Sequence, residues 1–202
     1  VDNLVWAFQY LSGLDAVDPD RVGMGGICTG ASMATVAAQD DRIRHDVRFV
    51  NFFAGYYDAI DFTRAIGSKS RLYGDYVAPW DTDSLTYRVF RNHLIDGVSG
   101  VADKALLHRI FVNEELVTEA EVGALTSEGT AVYKLLNGAP YEEVDGLVSQ
   151  LSPETAEFLR RISPSTNIDK LEARMLIMHD RADRLVPSEE SRRFAEAVSD
   201  GR

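Results

Sequence analysis

The sequence predicts an α/β fold: a parallel sheet with helices on both faces and a long helical insertion. Three observations predict it. Short apolar runs at 21–27, 47–53 and 175–178 read as buried strands. Helical-period stripes lie around and between them. The stretch from about 60 to 170 carries the stripes of several short helices and little strand signal. Buried strands alternating with helices imply a parallel sheet.

The elements follow in order. Leu4, Ala7, Phe8 and Leu11 form a helical stripe over 3–12, and Gly13 ends it. Asp18-Pro19-Asp20 is a turn. Arg21 to Ile27 is a short buried strand, followed by a helix of small residues from about Ala31 to Ala38. Val47 to Phe53 is a second strand, ending in Ala54-Gly55-Tyr56-Tyr57-Asp58. In the insertion, Leu85, Val89, Phe90 and Leu94 make one stripe, and Leu106, Leu107, Ile110 and Phe111 a second. Ala131, Val132, Leu135 and Leu136 make a third, closed by Gly138. Tyr73, Tyr76, Trp80 and Tyr87 crowd its first part. Ser152 as N-cap, with Pro153 at the first helical position, opens a helix to about Ile162. Met175 to Met178 is the third strand. Ser188 caps a final helix with Glu189 and Glu190 in its first turn, where carboxylates suit the helix dipole.

The 202 residues make one domain, or one domain with a large insertion. A net charge of −11 argues against nucleic-acid binding, which needs a basic patch. The single cysteine rules out an internal disulfide and leaves the redox compartment open. No apolar run approaches the roughly 20 residues of a membrane-spanning helix, and no signal peptide is visible, so a cytoplasmic location is expected. There is no G-x-x-x-x-G-K-[ST] phosphate loop. Gly23-Met24-Gly25-Gly26 resembles a dinucleotide turn, but Cys28 takes the place of the third glycine. No cluster has metal-ligand spacing, so neither a metal nor a cofactor is expected.

Cys28 is the informative residue. It sits in Gly26-Ile27-Cys28-Thr29-Gly30, directly after the first strand. That is the G-x-nucleophile-x-G pattern of a strand–turn–helix elbow, with cysteine where serine is usual. The small residues Gly26 and Gly30 let strand and helix pack closely, and the turn aims the Thr29 N–H at a developing oxyanion. Against this stands the ordinary state of a free cysteine, a small buried hydrophobe.

With the loop His179-Asp180-Arg181-Ala182-Asp183, followed by Leu185-Val186-Pro187, the chain resembles the α/β-hydrolase superfamily over nearly its whole length. The loop is similar to the family's H-G-x-x-D-x-x-V-P acid loop, with Asp180 in place of the glycine. Asp18-Pro19-Asp20-Arg21-Val22 resembles the family's lead-in to the elbow strand. The cysteine nucleophile matches dienelactone-hydrolase-like members. The resemblance implies a partial hydrolase core at 1–57 and 172–202 and a helical cap at 58–171. It implies Cys28 as nucleophile, Asp183 as triad acid and Asp58 as the alternative acid. Tyr56 and Tyr57 either line the pocket mouth or simply pack.

In the family the histidine follows the acid, and no histidine lies beyond Asp183. The early strands that supply the second oxyanion donor would precede Val1. The expectation is therefore a segment of a longer hydrolase. His45, His93, His108 and His179 are each expected to be structural or surface residues.

The activity implied is hydrolysis of a carboxylic ester, thioester or lactone through an acyl-enzyme on Cys28, with a small acyl substrate as partner. Oligomeric state stays open. The alternative is a non-catalytic scaffold of the same fold that binds a ligand or partner, and a minor one is an acyltransferase.

Overall fold

The computed structural model describes residues 1–200. In chain order its elements are α1 (Asp2–Ser12), a 3-10 turn (Pro19–Arg21), β1 (Met24–Ile27), α2 (Thr29–Ala38), β2 (Phe49–Phe53), α3 (Ala59–Ser68), β3 (Ser70–Tyr73), β4 (Tyr76–Pro79), α4 (Ser84–Gly97), α5 (Val101–Phe111), α6 (Glu119–Gly123), α7 (Ser127–Asn137), α8 (Tyr141–Val148), α9 (Pro153–Arg161), a 3-10 segment (Pro164–Lys170), β5 (Arg174–Met178) and α10 (Glu189–Asp200). The fold is mixed α/β. It divides into two compact units, Val1–Ala59 with Arg160–Arg202, and Ile60–Leu159. The expected division ran 1–57 and 172–202 against 58–171. The divisions differ at 58–59 and at 160–171, where the 3-10 segment packs on α2.

The first unit holds a three-stranded parallel sheet in the order β1-β2-β5. Ile27, Phe53 and Met178 lie side by side at its carboxyl end, as do Met24, Val50 and Met175 near the other. Val5, Phe8, Ala37, Ala38, Ile43, Val47 and Val50 form one core cluster with Met24 and Met175 against it. Ala31, Phe52 and Phe194 form a second, with Ile177 packed on it. In α1 the buried residues are Val5 and Phe8. Leu4 and Leu11 of the predicted stripe are exposed.

Both clusters use the same face of the sheet: Met24, Val50, Phe52, Met175 and Ile177. On the opposite face Ile27 is 75% exposed, Leu176 50% and Met178 49%. The expected cover on both faces is thus found on one, among the described residues. The strand order explains this. Both crossovers, β1 to β2 and β2 to β5, step in the same direction, and right-handed connections then return to the same side.

After α2, the chain turns at Asp40, whose carboxylate takes the Arg42 guanidinium at 2.7 Å; Arg42 also reaches Asp2 of α1 at 2.7 Å. The Arg42 hydrogen bond holds the Asp40 carboxyl down at about 2. A depressed folded-state value stabilises the fold above the ordinary value of 3.8 and loses that contribution as pH falls through about 2. Asp40→Asn is therefore expected to flatten the acid limb of the unfolding profile between those values, by on the order of 1 kcal/mol after solvent screening. Chemical denaturation at a series of acidic pH values checks it; an unchanged slope would refute the pairing.

The second unit is helical apart from a hairpin of β3 and β4. Gly74 (φ 56°) and Asp75 form its two-residue turn. Gly-Asp between Tyr73 and Tyr76 is a readable hairpin signal. The helical reading of the insertion passed over it. Trp80, Phe90, Leu94, Ile95, Leu107, Leu135 and Val144 make the core of this unit. Buried Asp103 accepts from both the Thr126 hydroxyl and the Thr126 N–H, and the same hydroxyl takes the Gly129 N–H to cap α7. Ser152 caps α9 through the Thr155 N–H at 3.1 Å, as the sequence predicts.

Candidate active site

Three parallel strands end in one row, so the segments after them emerge at one end of the sheet. Those segments are Cys28, Ala54–Asp58 and His179–Asp183. Open parallel sheets bind ligands at the carboxyl ends of their strands.

Cys28 follows β1 and directly precedes α2. Its N–H donates to the Phe53 carbonyl at 2.8 Å, and its own carbonyl takes the Ala31 N–H at 2.9 Å. Its backbone sits at φ 55°, ψ −133°, a conformation that a side chain makes costly. Gly26 is required for this turn. A Cβ there would lie 2.3 Å from the Gly30 carbonyl carbon and 2.6 Å from the Ala31 nitrogen. Gly30 is different: a Cβ on it would meet nothing within 4 Å. The close approach expected of both glycines belongs to Gly26 alone.

The Cys28 thiol is partly exposed, and Sγ lies 4.0 Å from the Thr29 hydroxyl. Thr29 thus brings its side chain to the sulfur. The Thr29 N–H lies in the first turn of α2, where backbone donors have no intrahelical acceptor.

The loop after β2 turns at Ala54, also at positive φ (51°). Tyr56 is buried, and its carbonyl accepts from the Ser32 hydroxyl at 2.7 Å. Burial foremost, then negative charge at Cys28 and at Glu190, pushes the Tyr56 hydroxyl well above the usual phenol range. The Tyr57 ring stacks on Phe194 of α10, 5.3 Å between centroids and 14° between planes, so it packs in the core. Asp58 accepts from the Ser165 hydroxyl at 2.6 Å.

Asp183 is held by its own loop. One carboxylate oxygen accepts the Leu185 N–H at 2.6 Å and the Val186 N–H at 3.2 Å. The other lies 3.5 Å from His179 Nε2. Asp180, in the place of the expected glycine, accepts the Ala182 N–H at 2.9 Å and shapes the same turn.

His179 is nearly buried and bonded at both nitrogens. Nε2 faces the Val186 carbonyl at 3.0 Å, so it carries the proton, and Nδ1 then accepts from the Ser191 hydroxyl at 2.6 Å. The ring ties the acid loop to α10 and is not placed as a base. His45 pairs with Glu172 at 2.9 Å. In the second unit His93 stacks on Phe158, and His108 is exposed near the end of α5.

Sequence reasoning missed four side chains around these loops: Ser32, Ser165, Glu190 and Ser191. Glu190 looked like a first-turn carboxylate placed for the helix dipole; no local signal marks it as buried. Among the described residues, no group of three His, Cys, Asp or Glu is placed to hold a metal ion, and no helix is long and apolar enough to cross a membrane. No protein-family model matches this chain, and no curated protein is significantly similar to it.

Proposed function

We propose that this chain is an α/β-hydrolase-type enzyme that cleaves carboxylic esters, thioesters or lactones through Cys28, with the helical unit as its inserted cap. The observation that carries the reading is the backbone of Cys28: the one cysteine of the chain occupies a strained strand-to-helix turn beside an obligatory glycine. Strain of this kind persists where a function uses it.

In the proposed reaction the Cys28 thiolate attacks the acyl carbonyl and an S–C bond forms. The oxyanion rests against the Thr29 N–H. The C–O or C–S bond to the leaving group breaks, and the leaving group takes a proton. Water then cleaves the acyl-thioester and frees the acid. The proton transfers need a base other than His45 and His179, whose rings bond elsewhere. Asp183 is the group proposed to orient that base. Asp58, engaged by Ser165, is the lesser candidate.

A second reading is a ligand-binding scaffold without turnover. It is favoured by the engagement of both histidine rings in the sheet-bearing unit. One experiment separates the two. The protein is mixed with a chromogenic short-chain ester, quenched early and digested for mass spectrometry. The enzyme reading expects one acyl group on the peptide containing Cys28, and its decay with turnover. Hydrolysis that continues after Cys28 is blocked with iodoacetamide would overturn it.

A further inference from the structure

Among the described residues, Glu190 is the one fully buried carboxylate that serves none of the roles above; its relative exposure is 0%. It lies in the first turn of α10. One of its oxygens accepts the N–H groups of Tyr57 and Asp58 at 2.9 and 3.0 Å. The other takes the guanidinium of Arg193, one turn along the helix. A buried carboxylate stays charged only when such donors surround it. What this charge holds is the loop after the central strand.

That loop lies against the elbow at several points. It follows Phe53, the last residue of β2, whose carbonyl takes the Cys28 N–H. Ala54 turns it at positive φ. Gly55 passes so close that a Cβ there would meet the Phe52 ring at 2.6 Å and the Ser32 hydroxyl at 2.9 Å. Ser32, fully buried one turn into α2 from Cys28, donates to the Tyr56 carbonyl. The loop is therefore clamped from two sides: by Ser32, on the helix that begins at the nucleophile, and by Glu190, on the helix that follows the acid loop.

We infer that Glu190 is a positioning residue, whose carboxylate fixes the Ala54–Asp58 loop against the Cys28 elbow. Its consequence for catalysis rests on the reading of Cys28 as nucleophile; its hold on the loop does not. Chemistry demands a carboxylate here, because both ends of the group must accept. Glutamine presents an amide NH₂ on one side. It then faces either the two loop N–H groups or the Arg193 guanidinium, a donor against donors. Aspartate is one methylene too short to keep the same reach.

The test compares wild type, Glu190→Gln and Glu190→Gln/Arg193→Met. Removing the guanidinium lets the glutamine oxygen face the loop and its NH₂ face the vacated side, so the double variant should recover what the single one loses. Three readouts are followed: amide hydrogen exchange in the 54–58 segment, the rate of Cys28 alkylation by iodoacetamide, and kcat and KM for the chromogenic ester. In Glu190→Gln, exchange at Tyr57 and Asp58 should rise roughly tenfold or more, the protection one hydrogen bond to a charged acceptor carries. Cys28 alkylation should change with it, and kcat should fall while KM holds. In the double variant all three should return toward wild type. A folded Glu190→Gln with unchanged exchange and alkylation would overturn the inference, as would a double variant no closer to wild type than the single one. Should the single variant not fold, the double variant alone decides: wild-type-like exchange supports the carboxylate's acceptor role, and unprotected loop amides refute it. If no ester is cleaved by any form, the nucleophile reading fails. The exchange and alkylation results still judge the clamp.

Discussion

Replacing Cys28 by glycine is expected to make the protein more stable and to abolish acyl transfer, whereas alanine abolishes transfer with little gain in stability. The reason is the backbone. At φ 55°, ψ −133° any Cβ crowds the chain, and glycine alone escapes that penalty. A residue held in such a conformation costs about 1–3 kcal/mol. Glycine recovers part of this but has more freedom to lose on folding, so a net gain of about 1 kcal/mol over alanine is expected. Urea unfolding of the three proteins measures it as a shift in midpoint at constant slope. The activity prediction is larger: removal of a covalent nucleophile costs several orders of magnitude in kcat. Equal midpoints for the glycine and alanine variants would mean that the turn stores no strain. That would remove the observation on which the functional proposal stands. Stability gained together with activity lost would mark Cys28 as a residue kept for chemistry rather than for packing.

Gly26→Ala is expected to be the most destabilising single-methyl change at the elbow. Its Cβ would lie 2.3 to 2.6 Å from Gly30 C, Gly30 O and Ala31 N. All three are backbone atoms, so no side chain can rotate away. Relief requires the start of α2 to move off the sheet. α2 is pinned there by Ala31, Ala34, Ala37 and Ala38, all buried. A loss of about 3 kcal/mol or more follows, at the upper end for overpacking. Gly30→Ala is the control. Nothing lies within 4 Å of its Cβ, and it is a helical position. A gain of up to about 1 kcal/mol is expected there, the helix preference of alanine over glycine. Thermal or urea unfolding of the two variants checks the contrast. Equal effects would show that the elbow is not packed as described.

The two glycines show where sequence reading stops. Their spacing around Cys28 is legible, because a strand followed at once by a small-residue helix needs a short, sharp turn. Which of them bears the contact is decided by how α2 lies on β1, and no local pattern encodes that. The three strands, their parallel arrangement and most of the long helices were legible for a local reason: the periodicity of apolar residues is written in consecutive positions. The hairpin at Gly74-Asp75 was legible too, but the helical stripes around it outweighed a two-residue signal.

Other features exist only in three dimensions. Glu190 has the sequence context of an exposed first-turn glutamate. It is buried because Tyr57 and Asp58, more than a hundred residues earlier, bring their N–H groups to it. His179 reads as a structural residue at a strand end, but its partners, the Ser191 hydroxyl and the Val186 carbonyl, are set only by the fold. Residues 160–171 read as part of the insertion, but belong to the sheet-bearing unit, with the 3-10 segment Pro164–Lys170 packed on α2. The sequence by itself determined the order along the chain of the three parallel strands and the long helices, and the motif that singles out Cys28, since both depend on neighbours along the chain. The tertiary structure alone decided which groups around Cys28 are buried, bonded or bare, because burial and hydrogen bonding depend on contacts between residues far apart in the chain.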